Sequence, residues 1–272
     1  MSEPNVVEAG AGEVIGDSPE RRVEILSERD ALHVTLSRFG PGRDGADPHI
    51  HRRHADLFYV LAGELTVRLG PEDEQVALPA GTLAHVPPLV VHGFRNASDA
   101  DVRYLNFHAP GTAFADYMRG LRDRRPTAFD QQDPPDDGGR SPSAAAISRA
   151  TVLADAPGLR VVLLADTPEV AIAETRGAPN GPPHVHARHD ESVYVLGGAL
   201  VLTAGGVDRR LVAGTWATLP AGMAHTLSTE TGAGQSRFLE VHAPSLGYGG
   251  FLRAVHSGDD PAAAAFDQAP AT

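Results

Sequence analysis

The chain has 272 residues, which at about 150 residues per domain predicts roughly two domains, and its hydrophobic content of 42% is typical of a globular protein. Acidic residues outnumber basic ones by 35 to 23, and this excess argues against a nucleic-acid or anionic-membrane partner. The chain has no cysteine and all 23 basic residues are arginine, so disulfides, thiolate chemistry and lysine-based catalysis are excluded.

The predicted elements are short strands separated by turns that contain Gly and Pro, and each half of the chain ends in a short helix. In chain order they are strands at 31–39, 56–69 and 83–88, a helix at 114–121, strands at 159–165, 191–204 and 216–221, and a helix at 248–255. Evenly spaced strands of this kind favour an all-β fold, either an antiparallel sandwich or a barrel, with the helices packed outside it.

The two halves are copies of one unit. Four blocks recur in the same order at offsets of 133 to 137 residues. They are HIHRRHADLFYVLAGEL at 49–65 and HVHARHDESVYVLGGAL at 184–200, GTLAHVPPLVVH at 81–92 and GTWATLPAGMAH at 214–225, HAP at 108–110 and 242–244, and AFDQ at 128–131 and 265–268. The intervening segment at 131–146 has too few apolar residues to pack and is interpreted as a linker. We therefore predict an N-terminal domain at 1–130 and a C-terminal domain at 147–272.

Each copy contains three histidines and one carboxylate in a pattern that suits a metal. Residues two apart on a strand share a face, so the two histidines of each His-x-His pair point the same way. The candidate ligands are His49, His51, Asp56 and His92 in the first copy, and His184, His186, Glu191 and His225 in the second. Three imidazoles and a carboxylate suit a divalent transition metal, with Fe, Mn, Ni, Cu and Zn all left open.

These residues resemble the cupin signature. The second copy has His184, His186, Glu191 and Gly198 in the pattern H-x-H-x4-E-x6-G, and a distant G-x5-P-x-G-x2-H ends at His225. The resemblance covers nearly the whole chain and implies two tandem cupin barrels, each a double-stranded β-helix or jelly roll, in a bicupin similar to quercetin dioxygenases. The first copy departs from the pattern at Asp56, where Glu is usual, and at Leu89, where Gly is usual. The second copy has Thr229 where Asn is common, and it is the favoured site.

Other repeated histidines are interpreted as supporting groups. His54 and His189 lie between the His-x-His pair and the acid, where a structural role or contact with a ligand is favoured over ligation. His108 and His242 in the repeated HAP are expected to make structural hydrogen bonds.

Strand alternation around His92 and His225 places Phe94 and Leu227 on the inner face of their strands. These two residues and Phe58 are expected to line apolar pockets, which favours an organic substrate.

Three functions are compatible with this pattern. The resemblance favours a metal-dependent dioxygenase acting on an aromatic or enolisable small molecule, with Glu191 as ligand and catalytic base. The alternatives are a metal-dependent isomerase, cyclase or decarboxylase on the same ligands, and a non-catalytic small-molecule-binding bicupin.

The expected partner is a small-molecule substrate, with no nucleic acid and no membrane. The first residues lack the pattern of a signal peptide, and no stretch is long and apolar enough to cross a membrane, so we expect a cytoplasmic protein. The two units can pack together as two cupin subunits do in a dimer, and homodimerisation of the chain stays open.

Overall fold

Runs rich in β-branched, aromatic and leucine residues form strands through most of the chain, because such side chains pack well on a pleated surface. The computed structural model describes residues 3–147, 150–179, 181–229, 235–261 and 266–271. Its strands are β1 (Asn5–Val7), β2 (Glu13–Ser18), β3 (Arg21–Arg29), β4 (Leu32–Phe39), β5 (Ala55–Ala62), β6 (Glu64–Leu69), β7 (Glu74–Pro79), β8 (Leu83–Val86), β9 (His92–Arg95), β10 (Val102–Ala109), β11 (Ala146–Ile147), β12 (Thr151–Ala156), β13 (Leu159–Asp166), β14 (Ala171–Arg176), β15 (His184–Val185), β16 (Asp190–Gly197), β17 (Ala199–Ala204), β18 (Val207–Val212), β19 (Trp216–Leu219), β20 (His225–Thr229), β21 (Arg237–Ala243) and β22 (Ala269–Pro270).

The N-terminal unit comprises Glu13–Ser148. Its larger sheet has the strand order β11-β8-β5-β10-β4-β3-β2, its smaller sheet has the order β7-β6-β9, and the paired strands in both are antiparallel. Phe58 and Tyr104 of the larger sheet pack in one core with Leu65 and Val67 of the smaller sheet. The two sheets therefore enclose a single hydrophobic core, as in a jelly roll.

The C-terminal unit comprises Met1–Gly12 and Arg149–Thr272. Its larger sheet has the order β1-β19-β16-β21-β14-β13-β12 and its smaller sheet the order β18-β17-β20-β15-β22. Val193 and Phe238 of the larger sheet share a core with Leu200 and Leu202 of the smaller sheet. The strand order repeats that of the N-terminal unit, as the duplicated sequence predicts, so the prediction of an all-β fold with two cupin-like barrels is confirmed.

Each unit has one α-helix among the described residues. Helix α1 (Phe114–Asp123) buries Phe114 and Met118, and α2 (Tyr248–Ser257) buries Tyr248 and Leu252. Both begin where predicted and end two residues later than predicted. No helix in the described part of the chain is long and apolar enough to cross a membrane.

The compact units differ from the predicted domain boundaries in two places. Residues 1–12 belong to the C-terminal unit because β1 pairs with β19, in a register that places Asn5 opposite Thr218. The segment at 131–146, predicted to be a linker, lies against the N-terminal unit. Its Gln132 exchanges backbone hydrogen bonds of 2.9 and 3.0 Å with Ile50, and β11 pairs with β8. Backbone pairing holds this polar segment without an apolar face of its own.

Candidate metal centres

The structure brings together the four predicted ligands of the C-terminal unit. His184 and His225 lie directly opposite each other in the β15–β20 pair, and His186 is two residues further along the same face. Oε2 of Glu191 lies 2.9 Å from Nε2 of His186, 2.9 Å from Nε2 of His225 and 3.7 Å from Nε2 of His184. One ligand atom from each side chain therefore lies within 4.8 Å of the others.

The N-terminal unit contains the equivalent group, formed by three histidines and the carboxylate of Asp56. His49 and His92 exchange two backbone hydrogen bonds of 2.9 Å, which sets their side chains next to each other. Nε2 of His49 lies 3.2 Å from Nε2 of His51. Oδ2 of Asp56 lies 3.4 Å from Nε2 of His92 and 3.6 Å from Nε2 of His51. Both distances exceed the 2.9 Å that separates Oε2 of Glu191 from His186 and from His225, in keeping with the shorter side chain of aspartate.

All six imidazoles are oriented in the same way. Each Nδ1 lies at hydrogen-bonding distance from a backbone carbonyl, which accepts but cannot donate, so Nδ1 carries the hydrogen and Nε2 of the neutral ring carries a lone pair. The pairs are His49 with Asp47 at 2.7 Å, His51 with Asp130 at 2.5 Å, His92 with Val90 at 3.0 Å, His184 with Pro182 at 3.0 Å, His186 with Asp267 at 2.6 Å and His225 with Met223 at 2.8 Å.

Lone pairs that converge at these distances repel one another unless a cation lies between them. The donor set of three nitrogens and one carboxylate oxygen in each unit thus fits a divalent transition metal, as the sequence predicts.

Electrostatics keep the two carboxyls and His49 in the protonation states that metal binding requires. Burial raises the pKa of Glu191, but its interactions with His184, His186 and His225 outweigh this effect and hold the pKa well below its usual value. Asp56 behaves in the same way, with His108 and His51 as the largest opposing influences. Burial, with repulsion from His92 and His51, lowers the pKa of His49 to about 3. Both carboxyls are therefore ionised and His49 is neutral at neutral pH.

The repeated AFDQ block holds the His-x-His segment in each unit. In the C-terminal unit, the backbone carbonyl of Asp267 accepts a hydrogen bond from Nδ1 of His186. Oδ2 of the Asp267 carboxylate accepts from the Arg188 amide at 2.7 Å and from Nδ1 of His189 at 3.0 Å. In the N-terminal unit, Asp130 makes the same contacts with His51, the Arg53 amide and His54. We name these aspartates the clasp residues. The repeat is visible in the sequence, but its role could not be predicted because the hydrogen-bond partners of the two aspartates lie about 80 residues away.

Each unit also contains a pair of buried histidines next to the candidate ligands. Nε2 of His189 lies 2.9 Å from Nδ1 of His242, and Nε2 of His54 lies 3.1 Å from Nδ1 of His108. The expectation of structural hydrogen bonds at the HAP histidines agrees with these contacts. These four side chains also form compact groups with His186 and His51. Both nitrogens of His54 and His189, and Nδ1 of His108 and His242, are engaged with one another and with the clasp residues.

A cavity adjoins each group of ligands. In the C-terminal unit it has a volume of about 390 Å³ and contains the predicted pocket residue Leu227 together with His184, His186 and Glu191. In the N-terminal unit it measures about 320 Å³ and contains the predicted pocket residue Phe94 with His49, His51 and Asp56. Phe58, also predicted to line a pocket, is instead fully buried in the core. Cavities of this size accommodate a small organic molecule.

Glu240 and Tyr248 also line the C-terminal cavity, and sequence reasoning did not single them out. The Tyr248 hydroxyl donates to the Glu240 carboxylate, and Oγ1 of Thr175 lies 3.3 Å from Oε2 of Glu240. Burial, together with the negative charge of Glu191, raises the pKa of Glu240 to about 7. The sequence could have revealed them through a difference between the two copies, since the first copy has Asn106 and Phe114 at the equivalent positions.

Comparison with known proteins places this geometry in a family. The cupin domain model matches residues 35–108 and 175–242. Quercetin 2,3-dioxygenase from Bacillus subtilis (strain 168) is 32% identical over 122 residues, which amount to 44% of this chain and 35% of that protein. The match thus spans about a third of the length of that relative.

Solved structures share the fold across most of the chain. A variant of Bacillus subtilis oxalate decarboxylase superposes with a TM-score of 0.60 at 17% identity and covers 88% of this chain and 76% of that one. AerE from Microcystis aeruginosa gives a TM-score of 0.59 at 15% identity and covers 85% of this chain and 96% of that one. At such identities the likeness concerns the fold alone. With one matched region in each unit and more than half of the residues matched, the chain belongs to the cupin family and is a bicupin.

Proposed function

We propose that this bicupin is a metal-dependent dioxygenase acting on an aromatic or enolisable small organic substrate. The observation that carries the proposal is the convergence of His184, His186, His225 and Glu191, three of which line a largely apolar cavity. The identity with a quercetin 2,3-dioxygenase supports this class of reaction.

In this proposal the eight predicted ligands hold one divalent transition metal in each unit. The bound ion supplies Lewis-acid polarisation of a substrate oxygen and, for a redox-active metal, electron transfer with dioxygen. The carbonyl-bonded Nδ1 atoms fix the ligand rings before the metal arrives, so little ordering entropy is lost on binding.

Glu191 is the catalytic residue of the C-terminal site. Its ionised carboxylate can accept the proton of a substrate hydroxyl, which prepares an enolate or phenolate for reaction. Leu159, Val161 and Leu227 line the cavity and exclude water from the reacting face of a flat substrate.

Oxygen uptake tests the proposal. The metal-loaded chain is expected to consume dioxygen with the flavonol quercetin as probe, and Glu191→Gln is expected to lower this rate by at least about a hundredfold, since both a ligand and a base are lost. Thr203→Val, which changes a half-buried side chain that donates to Asp208 outside the cavity lining, is the matched control. Oxygen uptake by the Gln variant at the native rate contradicts the assignment.

A non-oxidative reaction on the same ligands is the second candidate, and the Glu240–Tyr248 pair favours it. Burial is the largest cause of the raised pKa of Glu240, and a carboxyl group that burial keeps protonated can return a proton to a carbanion, as an isomerase or decarboxylase requires. Turnover under strictly anaerobic conditions separates the candidates, because only the dioxygenase needs dioxygen.

A further inference from the structure

The two cavities carry different side chains at two pairs of equivalent positions. Phe114 stacks on His108 with ring centroids 3.7 Å apart, and Tyr248 stacks on His242 at the same distance, so these two positions are structurally equivalent. In the neighbouring strand, Asn106 precedes His108 by two residues just as Glu240 precedes His242. Only the C-terminal cavity therefore has a hydroxyl and a carboxyl group at this place.

In the N-terminal unit the equivalent polar group is fully used within the protein. The Asn106 amide nitrogen donates to the Asp56 carboxylate and to the Leu57 carbonyl at 3.2 Å, and its oxygen lies 3.1 Å from Nε2 of His108. Asn106 thus supports a metal ligand and leaves no group for a bound molecule.

In the C-terminal unit the same contacts are missing. Glu240 pairs with Tyr248 and Thr175. Nε2 of His242 is buried and has no hydrogen-bond partner among the described residues. His242 is only 2% exposed, and its side chain lines the cavity together with Glu240 and Tyr248. A buried nitrogen without a partner is costly, and a bound molecule can remove this cost.

The hydrogen-bond chain from the clasp residue fixes the character of that nitrogen. The Asp267 carboxylate accepts from Nδ1 of His189, so Nε2 of His189 accepts from Nδ1 of His242. Burial lowers the pKa of His242 well below its usual value, and the ring is neutral. Nε2 of His242 consequently carries a lone pair, and its natural partner is a hydroxyl group.

We propose that the C-terminal cavity is the one that binds substrate, and that it selects a small hydroxylated aromatic molecule whose hydroxyl donates to Nε2 of His242 while the Glu240–Tyr248 pair bonds the neighbouring oxygen. The inference deepens the proposed function, on which it rests for the placement of the molecule beside the four ligands. Leu159, Leu227 and Leu252 supply the apolar wall for the ring.

Calorimetric titration of the metal-loaded chain with catechol, and with guaiacol as the matched probe, tests the proposal. Guaiacol keeps one phenolic hydroxyl but has a methoxy group, which cannot donate a hydrogen bond, in place of the second. Catechol is expected to bind once per chain, and guaiacol about tenfold more weakly, since a buried hydrogen bond is lost. Absence of catechol binding, or equal affinity for both probes, overturns the proposal.

Substitutions locate the site. Glu240→Asn with Tyr248→Phe gives the C-terminal cavity the N-terminal side chains at these two positions, and it is expected to weaken catechol binding about tenfold. Glu240→Gln, which conserves size, provides the same test with minimal disturbance of the fold. Tyr117→Phe removes a hydroxyl from the lining of the N-terminal cavity and is the matched control, expected to bind as the native chain does.

Native affinity in both Glu240 variants, or a loss in the Tyr117 variant equal to theirs, contradicts the assignment. Metal content measured on the same samples keeps the two proposals apart. A native chain without metal contradicts the proposed function alone, because the hydrogen bonds to His242 and Glu240 involve protein atoms only.

Discussion

At the scale of single residues, Leu89 occupies a backbone conformation suited to glycine. Its φ is 70°, and the equivalent Gly222 has a φ of 81°. The amides of both residues donate to the carbonyl of a ligand histidine at 2.7 Å, Leu89 to His51 and Gly222 to His186. The hydrogen bond therefore requires the left-handed conformation, which explains why the resemblance expects glycine here.

Leu89→Gly is expected to stabilise the N-terminal unit by about 0.5 kcal/mol, because relief of backbone strain exceeds the added entropy of the unfolded chain. The Leu89 side chain is 44% exposed, so little packing is lost. Gly222→Ala, the reciprocal change, is expected to cost about 1 kcal/mol. Urea unfolding measures both, and a destabilised Leu89→Gly chain contradicts this account of the turn.

Glu240 predicts a pH dependence of stability in the metal-free chain. Its pKa is raised from 4.5 to about 7 by burial and by the charge of Glu191. Between these values the folded chain holds a proton that the unfolded chain has released, so this stabilising contribution is lost as the pH rises toward 7.

Between about pH 4.5 and pH 8, the free energy of unfolding of the native chain is expected to fall by about 1 kcal/mol relative to that of Glu240→Gln. This figure allows for the partial exposure of Glu240 to the cavity. Urea unfolding of both chains across this range measures the difference. Parallel curves for the two chains are the contrary result.

At the scale of elements, the sequence predicts the strands and helices well because their patterns are local. The alternation at 31–39 and the run at 56–69 correspond to β4 and to the β5–β6 hairpin. The sequence also predicts which histidine and carboxylate side chains meet, since the His-x-His spacing and the duplicated blocks carry that information. The contacts of Asp130 and Asp267 were not predictable, because they depend on chain closure over 76 to 81 residues.

The clasp residues are expected to control metal affinity one unit at a time. Asp267→Asn removes the charge that binds His189 and the Arg188 amide, and it is expected to weaken metal binding at the C-terminal site by about 10- to 100-fold. Asp130→Asn is its matched counterpart for the N-terminal site. Competition with a chelating dye measures each affinity, and an equal effect of either substitution on both sites contradicts the account.

At the scale of the whole molecule, the first twelve residues contribute to the C-terminal unit. The three residues of β1 are too few for a sequence pattern to predict, and only their pairing with β19 reveals where they belong. Val6 packs against the core of that unit. The sequence thus predicts the duplication, whereas the unit to which a short segment belongs depends on backbone pairing with residues far away in the chain.

Removal of residues 1–12 is therefore expected to destabilise the C-terminal unit by about 1 to 3 kcal/mol, through loss of β1 pairing and of Val6 packing. The single tryptophan, Trp216, is fully buried in β19, so its fluorescence reports the unfolding of this unit. Unchanged unfolding by this signal contradicts the placement of the N-terminal segment.

The central claim is that each unit holds one metal ion through three imidazoles and one carboxylate. Elemental analysis of the purified chain tests it most directly, alongside His184→Ala/His186→Ala and His49→Ala/His51→Ala variants whose folding is checked by circular dichroism. The account predicts two divalent transition-metal ions in the native chain, one in each double variant and none when the four substitutions are combined. A native chain without metal, or a combined variant that retains the native count, contradicts it.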